Sequence, residues 1–480
     1  MTGMRAPITA NLSAATAPMP DVAPVITTTL PCIRSFILTS QDGKGNTRLI
    51  SSGFVALLRS NRNYRFTWIG QVVSEVGDHF NNIAVFSLAL ANTGSGLTVA
   101  GVLLARGAAV MFAGPVAGVL LDRMDRRRIM VLSDLIRAVL ALGFIFAIPM
   151  GRTWLLFLFS GALMFASPFF TSGRASILPA IASSTELHTA NSLTQLTQWT
   201  AVTLGSFLGG SAVASFGYTL AFVFNALSFV FSAVCVSKLH VAEGFRPQRE
   251  DLSEDRVLRA WHEYMAGLRY MRAAPLILGI GLIAVGWSTG GGAAQILFSL
   301  FGENVFHRGP AGIGMIWGCA GIGLMAGGMI AHTLGRHLGF EAYKRTISVV
   351  YVIHGGTYVL FSLTPRFEWA LLFIGVSRAA VGISSVLNFA QLLRHVPNEY
   401  RGRVFSTIES WTWMTMMVSM ALAGAASVTI DPRTIGAVAG FLSASTAVFW
   451  GWANWRGKLR EPARVGVEPE EVELHGDPVV

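Results

Sequence analysis

Twelve apolar runs, each about 20 residues or longer, follow one another from about residue 66 to about residue 455, with polar connections between them. A helix rises about 1.5 Å per residue, so each run matches the roughly 30 Å hydrocarbon core of a bilayer. Inside lipid every backbone N–H and C=O must be satisfied within the protein, and for runs of this length only the α-helix does so. The runs fall near 66–93, 98–121, 129–149, 153–172, 190–215, 219–238, 275–300, 311–334, 345–363, 367–393, 405–429 and 433–455. Only 13% of the residues are charged, against about 25% in soluble domains. An all-α membrane protein with twelve transmembrane helices is the expectation.

Charge placement gives the orientation. With alternate connections assigned to opposite sides, Lys and Arg from residue 59 onward divide 25 to 4, the minority being Arg152, Arg308, Arg366 and Arg433. Basic loops stay on the cytoplasmic side, so both termini and the long connection at 239–274 are expected there, in a plasma membrane. A net charge of +10 in a soluble domain would suggest nucleic acid. Here it is a topology signal, and no nucleic-acid partner is expected.

The chain divides into an extension at 1–53 that reads as mostly disordered, a six-span half at 54–238, a central connection at 239–274, a second six-span half at 275–455 and a tail at 456–480. Phe54 to Leu58, followed by Arg59, Arg62 and Arg65, reads as a short interfacial helix. Two six-helix halves around a central cavity are a recurring transporter architecture. A weak repeat agrees: Arg174 to Pro179 with Glu186 and Asn191 in the first half, and Gln391 to Pro397 with Glu399, Arg401 and Arg403 in the second. Cys32, Cys235 and Cys319 are far apart and form no metal or disulfide pattern. Neither HExxH nor a phosphate loop occurs, so an enzyme, a cofactor, a metal and an ATP-driven pump are not expected.

The connection after the second run carries six charged residues in the stretch GVLLDRMDRRRIM, Gly118 to Met130. It resembles the signature GxLaDrxGrkxxl of the major facilitator superfamily at Gly118, Leu120, Asp122, Arg123, Arg126 and Arg127. Asp125 stands where the signature prefers glycine, and aspartate tolerates left-handed backbone better than most residues. Trp68 to Gln71, Gly77 and Asp78, Asp134 and Arg137, Asn225 to Phe229, and Arg401 to Val404 are similar to the enterobactin-exporter and transmembrane secretion-effector branch. The resemblance covers about residues 54 to 455. It implies a conformational gate, in which Asp122 with Gly118, Arg123, Arg126 and Arg127 meets Arg401, Arg403 and Glu409 across the boundary between halves. The resemblance is incomplete at Ser206, which replaces the proline of the GPxxGG element of drug/proton antiporters, while Gly205, Gly209 and Gly210 read as close-packing positions.

Within the first span, Gln71, Glu75, Asp78 and Asn82 form one polar stripe. A carboxylate at the bilayer centre costs about 2.5 to 3.5 kcal/mol, so it must face water, substrate or a cation. By depth, Arg106 is the expected partner of Asp78. Two readings stand: a static salt bridge between the first two helices, or a proton-titrating or substrate-binding carboxylate tuned by Arg106. Arg378, mid-span with Ser385 and Asn388 on a similar face, reads as a cavity residue meeting an anionic or carbonyl group of substrate. Asp134 and Arg137 read as a local pair near the headgroups, and His332 and His354 as isolated packing residues.

The expected function is a secondary active transporter that exports a small amphipathic molecule, such as a drug, macrolide or siderophore, by alternating access. The direction follows from the resemblance alone. Protons are the expected coupling ion, lipids the surroundings and a monomer the expected state. An uptake carrier, a lipid or lysolipid flippase, and a non-transporting membrane sensor are the alternatives.

Overall fold

The structure, a computed structural model, describes residues 38–41, 47–50, 53–149, 151–240, 255–335 and 337–462. Every expected span is a helix. The first half holds α1 (Phe54–Ser60), α2 (Arg62–Thr93), α3 (Gly96–Arg123), α4 (Arg126–Gly143), α5 (Trp154–Ile181), α6 (Ser184–Phe216) and α7 (Tyr218–Ser237). The helix α8 (Asp255–Ala273) leads to α9 (Pro275–Leu300), α10 (Gly309–Gly335), α11 (Phe340–Leu363), α12 (Phe367–His395), α13 (Asn398–Ala426) and α14 (Pro432–Trp455). A wider π turn, Phe301–Val305, continues α9. The disorder expected for residues 1–53 falls mostly outside the described residues. Within that stretch β1 (Leu38–Gln41) pairs antiparallel with β2 (Thr47–Ile50), where Thr39, Thr47 and Ile50 favour extended backbone.

The membrane-crossing helices are α2 to α7 and α9 to α14, and the packing of the first half repeats in the second. The contacts α2 with α7, α3 with α5, α4 with α7 and α4 with α5 recur as α9 with α14, α10 with α12, α11 with α14 and α11 with α12. The halves meet through α3 on α13 and α6 on α10. A twofold that carries each helix to its counterpart exchanges those two contacts, as expected of a duplicated six-helix unit.

Among the described residues, nine helices are long and apolar enough to cross a membrane by composition alone. The other three of the twelve, α2, α6 and α13, are the more polar ones, and packing explains how they are accommodated. Helix α2 lies against α6 and α7, α6 against α2 and α10, and α13 against α9, α3 and α8. On the outside, Phe441, Val448 and Phe449 of α14 are 71–72% exposed, an apolar face suited to lipid.

Helix ends follow local chemistry. The Asn61 side chain accepts from the amide of Tyr64, and Ser95 from that of Leu97. Asp125 accepts from Arg127 at 2.9 Å and Arg128 at 3.3 Å, capping α4. Its φ is −60°, so this residue serves as a cap and left-handed backbone is not required of it. Helix α8 docks on the second half: Trp411 donates to the Tyr264 hydroxyl at 3.0 Å, Tyr270 donates to the His395 carbonyl at 3.1 Å, and Tyr270 stacks on Tyr400.

Candidate functional site

The polar stripe of α2 faces inward onto charges from other helices. Arg137 of α4 reaches Asp78 at 3.2 Å and Asp134 at 2.8 Å, and its guanidinium lies 3.9 Å from the centroid of the Phe229 ring on α7. Gly77 makes the approach of α7 possible, since a Cβ there would stand 2.8 Å from the Asn225 side-chain oxygen. Three short stretches that carried the family resemblance, around Asp78, Arg137 and Phe229, thus converge on one site. One turn along α2, Glu75 pairs with Arg174 of α5 at 3.6 Å and accepts from Gln71 at 2.8 Å. One oxygen each of Glu75, Asp78 and Asp134 is buried without a hydrogen-bond partner.

Two expectations are corrected here. Asp78 is ion-paired with Arg137, whereas Arg106 donates to Asn82 at 2.7 Å and lies 5.2 Å from the Phe86 ring centroid. Arg106 is therefore level with the residue one turn beyond Asp78, and it acts on Asp78 only through its field. Depth counted along each helix misses such a shift because tilt and rotation are set by packing. Asp134 and Arg137 do form a local pair, but at 0% and 4% side-chain exposure they are buried in the bundle, away from the headgroups. They sit about 12 and 16 Å into α4 from its first residue.

In the second half, Arg378 of α12 lies 5.1 Å from the Phe298 ring centroid of α9. It borders a closed void, too tight in this state for a water molecule, with His354 and Tyr358 of α11, Gly290 and Gly291 of α9 and Ser443 of α14. His354 is packed, as expected, and hydrogen-bonded as well: its Nδ1 is 2.7 Å from Ser377 Oγ and its Nε2 3.0 Å from Ser443 Oγ. Asn388 is buried in packing, accepting from Tyr343 at 2.8 Å, while Ser385 is exposed.

The two ends of the bundle differ. At the end away from the charged hairpin the halves interlock: Asn304 donates to the Gly94 carbonyl at 3.2 Å and Ser87 to Glu303 at 3.1 Å. A Cβ on Gly210 would stand 2.8 Å from the Gly314 Cα, and one on Gly96 would stand 2.6 Å from Ser427 Oγ. At the hairpin end, a Cβ on Gly118 would meet nothing within 4 Å. Asp122 and Arg123 are exposed, and Asp122 forms no ion pair among the described residues. Arg126 donates to the Ser176 carbonyl at 3.0 Å and Arg127 to the Leu239 carbonyl at 2.8 Å, tying the hairpin to the ends of α5 and α7. Arg401 donates to the Leu393 carbonyl at 3.0 Å, and Arg403 lies 5.8 Å from the Tyr400 ring centroid. Glu409 is half-buried on α13. This structure therefore does not bring Asp122 to Arg401, Arg403 and Glu409.

Twelve crossing helices in two repeated halves, clasped at one end around buried ion pairs, define a polytopic membrane transporter. The chain belongs to the major facilitator superfamily, whose family model matches residues 67–413. It is 25% identical over 369 residues to a Bacillus amyloliquefaciens protein provisionally assigned as the bacilysin exporter BacE, covering 75% of this chain and 88% of that protein. It is 24% identical over 403 residues to the enterobactin exporter EntS of Escherichia coli, covering 81% and 90%. Among solved structures, the nucleoside transporter NupG superposes with a TM-score of 0.62 at 12% identity, covering 81% of this chain and 98% of that one.

Proposed function

We propose that this protein is a proton-coupled exporter of small amphipathic molecules that works by alternating access, in a plasma membrane with both termini cytoplasmic. The observation that carries the reading is the pair Glu75 and Asp78 on one helix face, each held by an arginine and each keeping a buried oxygen without a donor. A buried carboxylate oxygen with no donor is costly, and a proton arriving there removes the charge that makes it so. Membrane-embedded carboxylates with that property mark proton paths. Interlocked halves at one end and an unpaired Asp122 at the other fit a state open toward the basic, cytoplasmic side. Relatives named as exporters, at 24–25% identity, support the outward direction.

The test compares accumulation of a panel of siderophores, macrolides and dyes in cells with and without the protein, each with and without a proton uncoupler. Expected is lower accumulation with the protein, abolished by the uncoupler. Efflux that ignores the uncoupler would sink the proton-driven reading, and accumulation raised by the protein would reverse the direction.

A further inference from the structure

The charges buried in the two halves do not balance in the same way. In the first half Glu75, Asp78 and Asp134 stand against Arg106, Arg137 and Arg174, three carboxylates to three guanidinium groups. In the second, Arg378 forms no ion pair and no hydrogen bond among the described residues. Glu303 is at the far end of α9 and Glu409 in the hairpin-side half of α13, neither within ion-pair distance of it. A cation left unpaired at mid-membrane is costly unless a ligand completes it.

The groups around Arg378 are donors as well. Ser377 Oγ lies 3.1 Å from the His354 carbonyl oxygen and 2.7 Å from His354 Nδ1. His354 Nε2 is 3.0 Å from Ser443 Oγ, which also lies 3.5 Å from the Trp287 carbonyl oxygen. Both ring nitrogens of His354 are thus engaged, as a tie between α11, α12 and α14. Tyr358 differs: it is 2% exposed, borders the same void, and its hydroxyl has no partner. Gly290 lets α9 and α14 close on each other here, since a Cβ on it would stand 2.6 Å from the Ala439 carbonyl oxygen, so a ligand enters only when these helices part.

We infer that Arg378 and Tyr358 form a carboxylate-binding subsite, so that the exported molecule is an amphipathic acid whose anionic group docks in the second half. A guanidinium and a phenol both donate, and a carboxylate offers two charged acceptor oxygens that a neutral ester or amide does not match. This inference rests on the transport reading and narrows it to a substrate class.

The test uses the full-length protein in lipid nanodiscs, with tryptophan-quenching titrations of dansyl-phenylalanine and of its methyl ester, probes that differ only in the carboxylate. Expected is binding of the acid at least about tenfold tighter than the ester, a difference of about 1.4 kcal/mol. The preference should vanish in Arg378→Gln, return in part in Arg378→Lys and weaken several-fold in Tyr358→Phe. Equal binding of the two probes, binding of neither, or a preference that survives Arg378→Gln would overturn the subsite. If Arg378→Gln fails to fold, Tyr358→Phe removes a single oxygen and carries the same comparison. Proton-driven movement in proteoliposomes separates the two readings. Acid bound selectively but never moved defeats the transport reading alone, and both probes moved equally defeats the subsite alone.

Discussion

Arg137 of α4 holds Asp78 of α2 at 3.2 Å while the same guanidinium holds Asp134 at 2.8 Å. One cation thus serves two carboxylates, and the two substitutions that disturb it should behave differently. Arg137→Ala leaves both carboxylates buried and unpaired; breaking a buried pair from one side costs about 3–5 kcal/mol, so folded protein recovered from membranes should fall sharply. Asp78→Asn keeps the shape and leaves Arg137 paired with Asp134. Membrane abundance should stay near wild type while proton-driven flux falls to background. An Asp78→Asn protein that vanishes from the membrane would assign the pair a purely structural role.

A pH-dependent contribution is expected from Glu186, in the first turn of α6 and ahead of its apolar part. Its carboxylate accepts from the Ser183 amide at 2.9 Å and from Asn61 at 3.3 Å, and the backbone bond from Ser183 chiefly holds its pKa below the ordinary value. A depressed carboxylate pKa adds stability that is complete above the unfolded-chain value, about 4.3, and disappears as pH falls through the folded-state value. Caps of this kind contribute about 0.5–2 kcal/mol. Glu186→Gln should therefore lower the melting temperature of the purified protein at pH 7, and the gap should close as the scans move below pH ~4. A gap that persists at low pH would mean the carboxylate charge is not what stabilises this end.

Apolar runs were enough to find all the spans because bilayer thickness fixes helix length, yet the boundaries moved where hydrogen bonding outlasts hydrophobicity. The fourth run reads as ending near residue 172, but α5 continues to Ile181, since Arg174 to Ile181 stays helical past the lipid-like stretch. The stripe Gln71, Glu75, Asp78 and Asn82 was equally legible, because helical period alone places it on one face. Its partners were not: which arginine meets Asp78 depends on helix rotation and tilt, set by contacts between segments far apart in the chain. His354 read as isolated for the same reason, as its two hydroxyl partners lie 23 and 89 residues away.

Glycines set the clasp between halves at the end away from the hairpin. Gly210 and Gly314 are packed so closely that a Cβ on either would come within 3 Å of the other's Cα. Gly314→Leu must push α6 and α10 apart, and overpacking of this kind costs about 1–3 kcal/mol. That cost falls on the clasped state, so the population should shift toward the arrangement open at the far end. With Ser427→Cys as reporter, a membrane-impermeant maleimide added from outside should label the Gly314→Leu background faster than the parent. Equal labelling rates would show that this contact does not decide which end is closed.

Asp122 is exposed here and forms no ion pair among the described residues, while Arg401 donates to the Leu393 carbonyl. If the cycle brings the hairpin end together, a carboxylate at the edge of the apolar zone gains a cationic partner and loses the cost of facing it alone. The ion pair would then exist only in the state open to the far side. Asp122→Ala should leave α3 folded, since no hydrogen bond or ion pair among the described residues depends on that side chain, yet slow export because the far-open state loses its latch. Cysteines at 122 and 401 should cross-link when the Gly314→Leu substitution favours that state and cross-link poorly without it. Wild-type export by Asp122→Ala at equal membrane abundance would remove the latch and leave the hairpin with its arginines as topology markers and as ties to α5 and α7.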